Sequence, residues 1–132
     1  MWPFSRKQNK ISKINEQVSG IKVLIIVYEH GPDEQLEKEV VATYKGQLAT
    51  SCEVITYYSG GIPDASEMGA SYGALFSSPF LQPSNVKSGY AKAAGLYMRA
   101  SKEHGFNYPA ERVVFNVGSV GGQRVLILMA AG

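Results

Sequence analysis

Ile21-Lys22-Val23-Leu24-Ile25-Ile26-Val27-Tyr28, followed by the polar break Glu29-His30-Gly31-Pro32-Asp33, decides how this chain folds. A β-branched, nearly continuous apolar run bounded by turn residues reads as a strand buried on both faces, which belongs inside a sheet. Its carboxyl end delivers an acid and one of the chain's two histidines into a loop. In open α/β sheets, ligands gather at that edge.

Downstream, Pro32 suits a first helical position, and Asp33 and Glu34 complement the helix dipole. Leu36, Val40, Tyr44 and Leu48 recur every fourth residue, with Val41 beside them, which predicts a helix over roughly 33–49. Cys52 to Tyr58 is rich in β-formers and predicts a second strand with one more exposed face. Strand, helix, strand in this order is a βαβ unit with parallel strands and a right-handed crossover. Asp64-Ala65-Ser66-Glu67 has capping-box spacing and opens a short helix over about 65–76, carrying Met68, Tyr72 and Leu75 on one face.

The loop Ser77 to Ser84 holds two prolines, and a third helix follows over about 85–104. Gly89, Ala93, Ala94 and Gly95 would let that helix lie close to the sheet or to another helix. Arg112–Gly118 and Arg124–Ala130 are apolar runs joined by Ser119-Val120-Gly121-Gly122-Gln123, the pattern of an antiparallel hairpin. The last run is apolar on both faces and is expected inside the sheet or under a second subunit. The sum is a small α/β fold: a mixed sheet of about four strands, built from a βαβ unit, two further helices and a C-terminal hairpin.

Composition narrows the function classes. The chain has 132 residues, 45% hydrophobic and 18% charged, which fits one globular domain over 20–132 behind a tail and short helix at 1–19. The net charge of +2 hides an asymmetry. Residues 1–13 hold Arg6, Lys7, Lys10 and Lys13 and no acid, leaving nine basic residues against eleven acidic ones elsewhere. A mildly acidic body argues against nucleic acid as a partner. The tail also carries Trp2 and Phe4, so residues 1–13 could make weak membrane-surface contact, though a frayed terminus explains them more simply. No apolar run approaches the ~20 residues of a spanning helix. A single cysteine, Cys52, fits a reducing, cytoplasmic setting.

Parallel first and second strands bring their carboxyl ends to one edge. That groups Glu29, His30, Asp33 and Glu34 with Tyr58, Ser59, Gly60, Gly61, Asp64 and Glu67. As a ligand site it would use Glu29, His30, Tyr58, Ser59, Gly60 and Gly61. As a catalytic site it would use Glu29, His30 and Asp64, and as a metal site His30, Asp33 and Asp64. Helix capping accounts for Asp33, Glu34, Asp64 and Glu67 without any chemistry, leaving Glu29 and His30 unexplained. A phosphate site fits poorly, because those loops hold no lysine or arginine and no fingerprint glycines. Gly118 to Gly122 with Arg124 nearby reads first as a hairpin turn. Cys52 reads as an inert thiol and His104 as a helix-end cation. Tyr57, Tyr58, Tyr72, Tyr90, Tyr97 and Tyr108 either pack in the core or line a groove.

The residues favour a non-catalytic domain that binds a partner or small ligand and self-associates through the hairpin or the small-residue helix. A metal-assisted hydrolase at the strand edge is the rival, and a membrane-tethered accessory protein the third reading. Whether the protein is an enzyme, and with which cofactor, is not written in these residues.

Overall fold

The computed structural model describes residues 19–76, 88–120 and 122–132. In chain order they form β1 (Ile21–Tyr28), α1 (Glu34–Thr43), β2 (Leu48–Tyr58), α2 (Ala65–Met68), β3 (Tyr72–Ala74), α3 (Ser88–His104), β4 (Val113–Val120) and β5 (Gln123–Ala131). Short 3-10 turns at Lys45–Gln47 and Ala110–Arg112 lead into β2 and β4. The strands make one five-stranded sheet in the order β2-β1-β5-β4-β3. β1 is parallel to β2 and antiparallel to β5, while β4 is antiparallel to both β5 and β3. The mixed α/β architecture expected from the sequence is present, with five strands in place of about four.

Two-sided burial sets the layers. Val23, Ile25 and Val27 of β1 join Leu126 and Leu128 of β5 and Phe115 of β4 beneath α3, which contributes Tyr90, Ala93, Leu96, Tyr97 and Ala100. Met68 of α2 seals the same face. On the other face Leu24, Ile26 and Tyr28 meet Val125, Ile127 and Met129 beneath Leu36 and Val40 of α1 and the adjoining Tyr44. Each Leu, Ile or Val removed from water here contributes about 1.5–3 kcal/mol. Tyr44 reaches across this face, and its hydroxyl accepts a 2.7 Å hydrogen bond from the buried Asn116 amide on β4. Burial pushes the Tyr44 hydroxyl well above the usual phenol range.

Three boundaries differ from the sequence expectation. The helix expected over 33–49 ends at Thr43, and β2 begins at Leu48, earlier than the expected Cys52. Tyr44 leaves the helical region at φ −104°, ψ 9°, because burial of its ring outweighs continuation of the helical repeat. The helix expected over 65–76 is a single turn. Gly69 closes it in the left-handed region at φ 79°, and Tyr72–Ala74 becomes the fifth strand, paired with Val114–Asn116. Pairing with the otherwise open side of β4 overrides the helical spacing of Met68, Tyr72 and Leu75. Gly73 stands opposite Phe115 in this pairing, where an added Cβ would make ordinary van der Waals contact with the ring at 3.4 Å.

β5 lies in the middle of the sheet, as its two-sided apolarity required, and β4 and β5 pair from Val113↔Ala130 to Val120↔Gln123. Among the described residues no helix is long and apolar enough to cross a membrane. Of the tail and short helix expected over 1–19, residues 1–18 lie outside the described residues, as do the loop at 77–84 and the start of the third helix at 85–87.

The small residues of α3 have separate uses. A Cβ on Gly89 would lie 2.8 Å from the Glu67 carbonyl oxygen and the Met68 sulfur and 2.9 Å from Pro63, whereas one on Gly95 would meet nothing within 4 Å. Gly95→Ala should therefore stabilise the protein by about 0.5–1 kcal/mol through helix propensity and reduced unfolded-state freedom. Gly89→Ala, the same chemical change in the same helix, should destabilise it, because backbone carbonyl and proline cannot yield cheaply. Urea unfolding of the two variants checks the opposite signs.

Candidate functional site

The strand order gathers more at one edge than the parallel pair alone implied. β4 runs in the same direction as β1, since both are antiparallel to β5. The carboxyl ends of β1, β2 and β4 therefore meet the start of β5. Tyr28 stands opposite Val125, the Glu29 amide donates to the Arg124 carbonyl at 3.2 Å, and the His30 amide donates to Gln123 Oε1 at 3.1 Å. This antiparallel continuation carries Arg124 to the end of β1.

Arg124 is the organising cation of the edge. Its Nη1 donates to the Ile62 carbonyl at 2.7 Å and lies 3.8 Å from Glu29 Oε2, while its backbone amide lies 3.4 Å from Glu29 Oε1. A second cation arrives from α3: Lys92 Nζ donates to the carbonyls of Gly60 and Gly61 at 2.7 and 2.8 Å. The loop after β2 contains no base of its own, yet three consecutive carbonyls, Gly60 to Ile62, are held by cations from distant elements. Gly61 takes a left-handed φ of 74°, which suits a glycine in that tight turn.

Each residue expected at the edge can now be placed. Glu29 is largely buried and tied to Arg124, at 21% side-chain exposure, whereas the His30 ring is 68% exposed with its Nε2 3.5 Å from Glu29 Oε1. Asp33 caps α1, accepting from the amides of Gln35 and Leu36 at 3.0 and 3.2 Å. Asp64 caps α2 in a full capping box: its Oδ1 accepts from the Glu67 amide at 2.9 Å, and its own amide donates to Glu67 Oε1 at 3.2 Å. The Ser66 hydroxyl adds a 2.7 Å donor to Asp64 Oδ1. The Ser59 amide extends the β1–β2 ladder to the Tyr28 carbonyl, and Tyr58 is 60% exposed on β2. Among the described residues, no group of three or more His, Cys, Asp and Glu side chains is placed to hold a metal ion, and His30, Asp33 and Asp64 are not brought together as one.

A cavity of about 170 Å³ opens beside this frame, lined by Asp64, Ala65, Ser71, Val117, Gly118, Ser119 and Arg124. Its wall is built by β4, whose Val117 amide donates to the Ser71 carbonyl at 2.7 Å. Of the residues expected from sequence, Asp64 lines the cavity and Glu29 braces its arginine, while His30, Asp33 and Tyr58 are not among the lining residues. Arg124 and Lys92 were not expected there. The proximity of Arg124 to the Gly118–Gly122 turn was the available signal, and only strand pairing turned that turn toward Glu29.

A second polar cluster joins β2 to the end of α3. The Tyr57 hydroxyl donates to Glu103 Oε1 at 2.6 Å, Arg99 pairs with Glu103 at 3.2 Å and covers the Tyr57 ring at 4.8 Å, and His104 Nδ1 sits 3.2 Å from Glu53 Oε2. Burial, then the Glu103 carboxylate, pushes the Tyr57 hydroxyl up to about 12. Cys52 is half-buried on β2, and burial followed by the Glu53 charge raises its thiol, the wrong direction for a nucleophile. Tyr90 and Tyr97 are core residues, in edge-to-face contact with Phe115 and with Phe76 and Phe106, so the tyrosines do not form a single groove.

No family model, curated protein or solved structure matches this chain.

The capping roles have measurable consequences. Asp33→Ala should cost about 1 kcal/mol, and Asp33→Asn, which keeps the acceptor, much less; chemical denaturation of the pair reads the difference. The Ser66 hydroxyl, then the Glu67 amide, holds the Asp64 carboxyl below its ordinary value of 3.8. A depressed folded-state value means that its stabilisation is complete above the ordinary value and fades as pH falls through the lowered one. Asp64→Asn should flatten part of the acid-side decline in denaturation midpoint; an unchanged decline would assign it to other carboxylates.

Proposed function

We propose that this chain is a non-catalytic binding domain that takes a compact, zwitterionic small molecule in the cavity between α2 and the β4–β5 ends. The observation that carries this reading is that Arg124 and Asp64, opposite in charge and each anchored by the fold, line the same cavity. A ligand carboxylate suits Arg124 and a ligand ammonium suits Asp64. A simple anion is a poorer occupant, because Glu29 and Asp64 place two carboxylates around the one guanidinium. The volume of about 170 Å³ corresponds to roughly five or six waters, a size that suits a small amino acid.

Recognition is favoured over hydrolysis because Asp33 is engaged as a helix cap and Glu29 with Arg124, and His30, Asp33 and Asp64 are not gathered into one group among the described residues. The half-buried free thiol of Cys52 is in keeping with a reducing, cytoplasmic setting.

Thermal denaturation with free alanine, acetate and methylamine as probes tests the reading. Alanine should raise the midpoint, by several degrees at about a hundred times Kd, and the two half-molecules should do so far less. Ser119→Leu, which fills the cavity while leaving the contacts of Arg124 in place, should abolish the alanine shift. An equal response to acetate alone, or an undiminished shift in Ser119→Leu, would defeat the proposal.

A further inference from the structure

β2 is an edge strand of eleven residues, and the opposite edge of the sheet, β3, has three. Exposed edges present backbone donors and acceptors to any incoming strand, and proteins blunt them with lysine, proline, bulges or brevity. β2 has a bulge early, where its partner on β1 steps from Ile21↔Leu48 to Val23↔Glu53. From Glu53 to Tyr58 the ladder is regular and the strand, Glu-Val-Ile-Thr-Tyr-Tyr, contains neither lysine nor proline. Its single charge, Glu53, faces the end of α3, where His104 lies 3.2 Å away. No described strand pairs with its outer side.

The direction of each backbone group follows from the ladder. The Ser59 amide donates to the Tyr28 carbonyl. Alternation then turns the N–H and C=O groups of Ile55 and Tyr57 toward β1, and those of Val54, Thr56 and Tyr58 outward. Side chains divide the same way. Ile55 and Tyr57 pack on the α3 face, so Val54, Thr56 and Tyr58 share the α1 face. There Val54 and Tyr58 are, at 37% and 60% exposure, two of the three exposed large hydrophobic residues described. They flank Thr56 symmetrically.

We infer that β2 pairs antiparallel with β2 of a second copy across a two-fold axis at Thr56, joining two sheets into one of ten strands. In that register Thr56 faces Thr56, and Val54 of each copy faces Tyr58 of the other, so each exposed aromatic meets an exposed β-branched residue. The outward amides and carbonyls of all three residues find partners at once. On the α3 face Ile55 meets Tyr57, and Glu53 meets Ser59, so no like charges are opposed. Centring on Ile55 instead sets Val54 against Thr56 and Tyr58 against Cys52, which separates the two apolar side chains. The expected hairpin interface is not left for this purpose, because both faces of β5 are buried within the chain.

A charge-swap experiment tests both the surface and the register. Wild type should sediment as a dimer. Thr56→Lys and Thr56→Glu each place like charges opposite one another at the axis and should weaken association about a hundredfold. Their circular dichroism should be unchanged, since residue 56 is exposed. An equimolar mixture of the two should regain the dimer. Wild type that stays monomeric at high concentration, single variants that still dimerise, or a mixture that stays monomeric would each overturn the inference.

Discussion

The structure depends on the pairing of β1 with β5, two adjacent strands whose side chains are apolar in both directions. Ile21 to Tyr28 and Val125 to Ala131 are buried almost without interruption, Lys22 being the exception. Such a pair cannot leave either face to water, so helices are required on both. α1 answers on one face and α3 with α2 on the other, and the chain meets this need with a parallel β1-α1-β2 crossover followed by the return of β4 and β5. Less apolar strands can then occupy the margins. β2, with Ile55 as its one fully buried residue among the described ones, lies at one margin, and the three-residue β3 at the other.

The same pairing determines the chemistry of the strand edge. Because β5 runs against β1, its first residues arrive where β1 ends, and Arg124 is delivered to Glu29. Since β4 precedes β5 in a tight hairpin, Gly118 and Ser119 come with it. The loop from Gly60 to Ile62 is then held by Arg124 and by Lys92 through carbonyl oxygens. A loop without charged side chains is thus held through its backbone carbonyls by two cations from distant elements. Electrostatically the edge is mixed, with the carboxylates of Glu29 and Asp64 near the Arg124 guanidinium.

Legibility in the sequence followed the strength of the local signal. β1 and β5 were readable because long apolar runs have few structural alternatives. The cap residues Asp33 and Asp64 were readable because capping is a short-range hydrogen-bond pattern, satisfied within three residues. Tyr72 to Ala74 was misread as helix because three residues carry little periodic information, and what makes them a strand is the side of β4 they lie against. Tyr44 ended α1 early for a similar reason: its ring and hydroxyl answer to Asn116, seventy-two residues away in sequence.

By itself, then, the sequence determined the class of fold, the two central strands and the starts of α1 and α2, all of which arise from hydrophobic burial and from contacts between near neighbours. The tertiary structure alone decided that β5 would stand between β1 and β4, that Arg124 and Lys92 would clamp the loop after β2, and that Glu53 to Tyr58 would lie along one edge of the described sheet. Those outcomes depend on which strands become neighbours. That choice is made by satisfying backbone hydrogen bonds and covering two apolar faces at once, a constraint on the whole chain that no short stretch expresses.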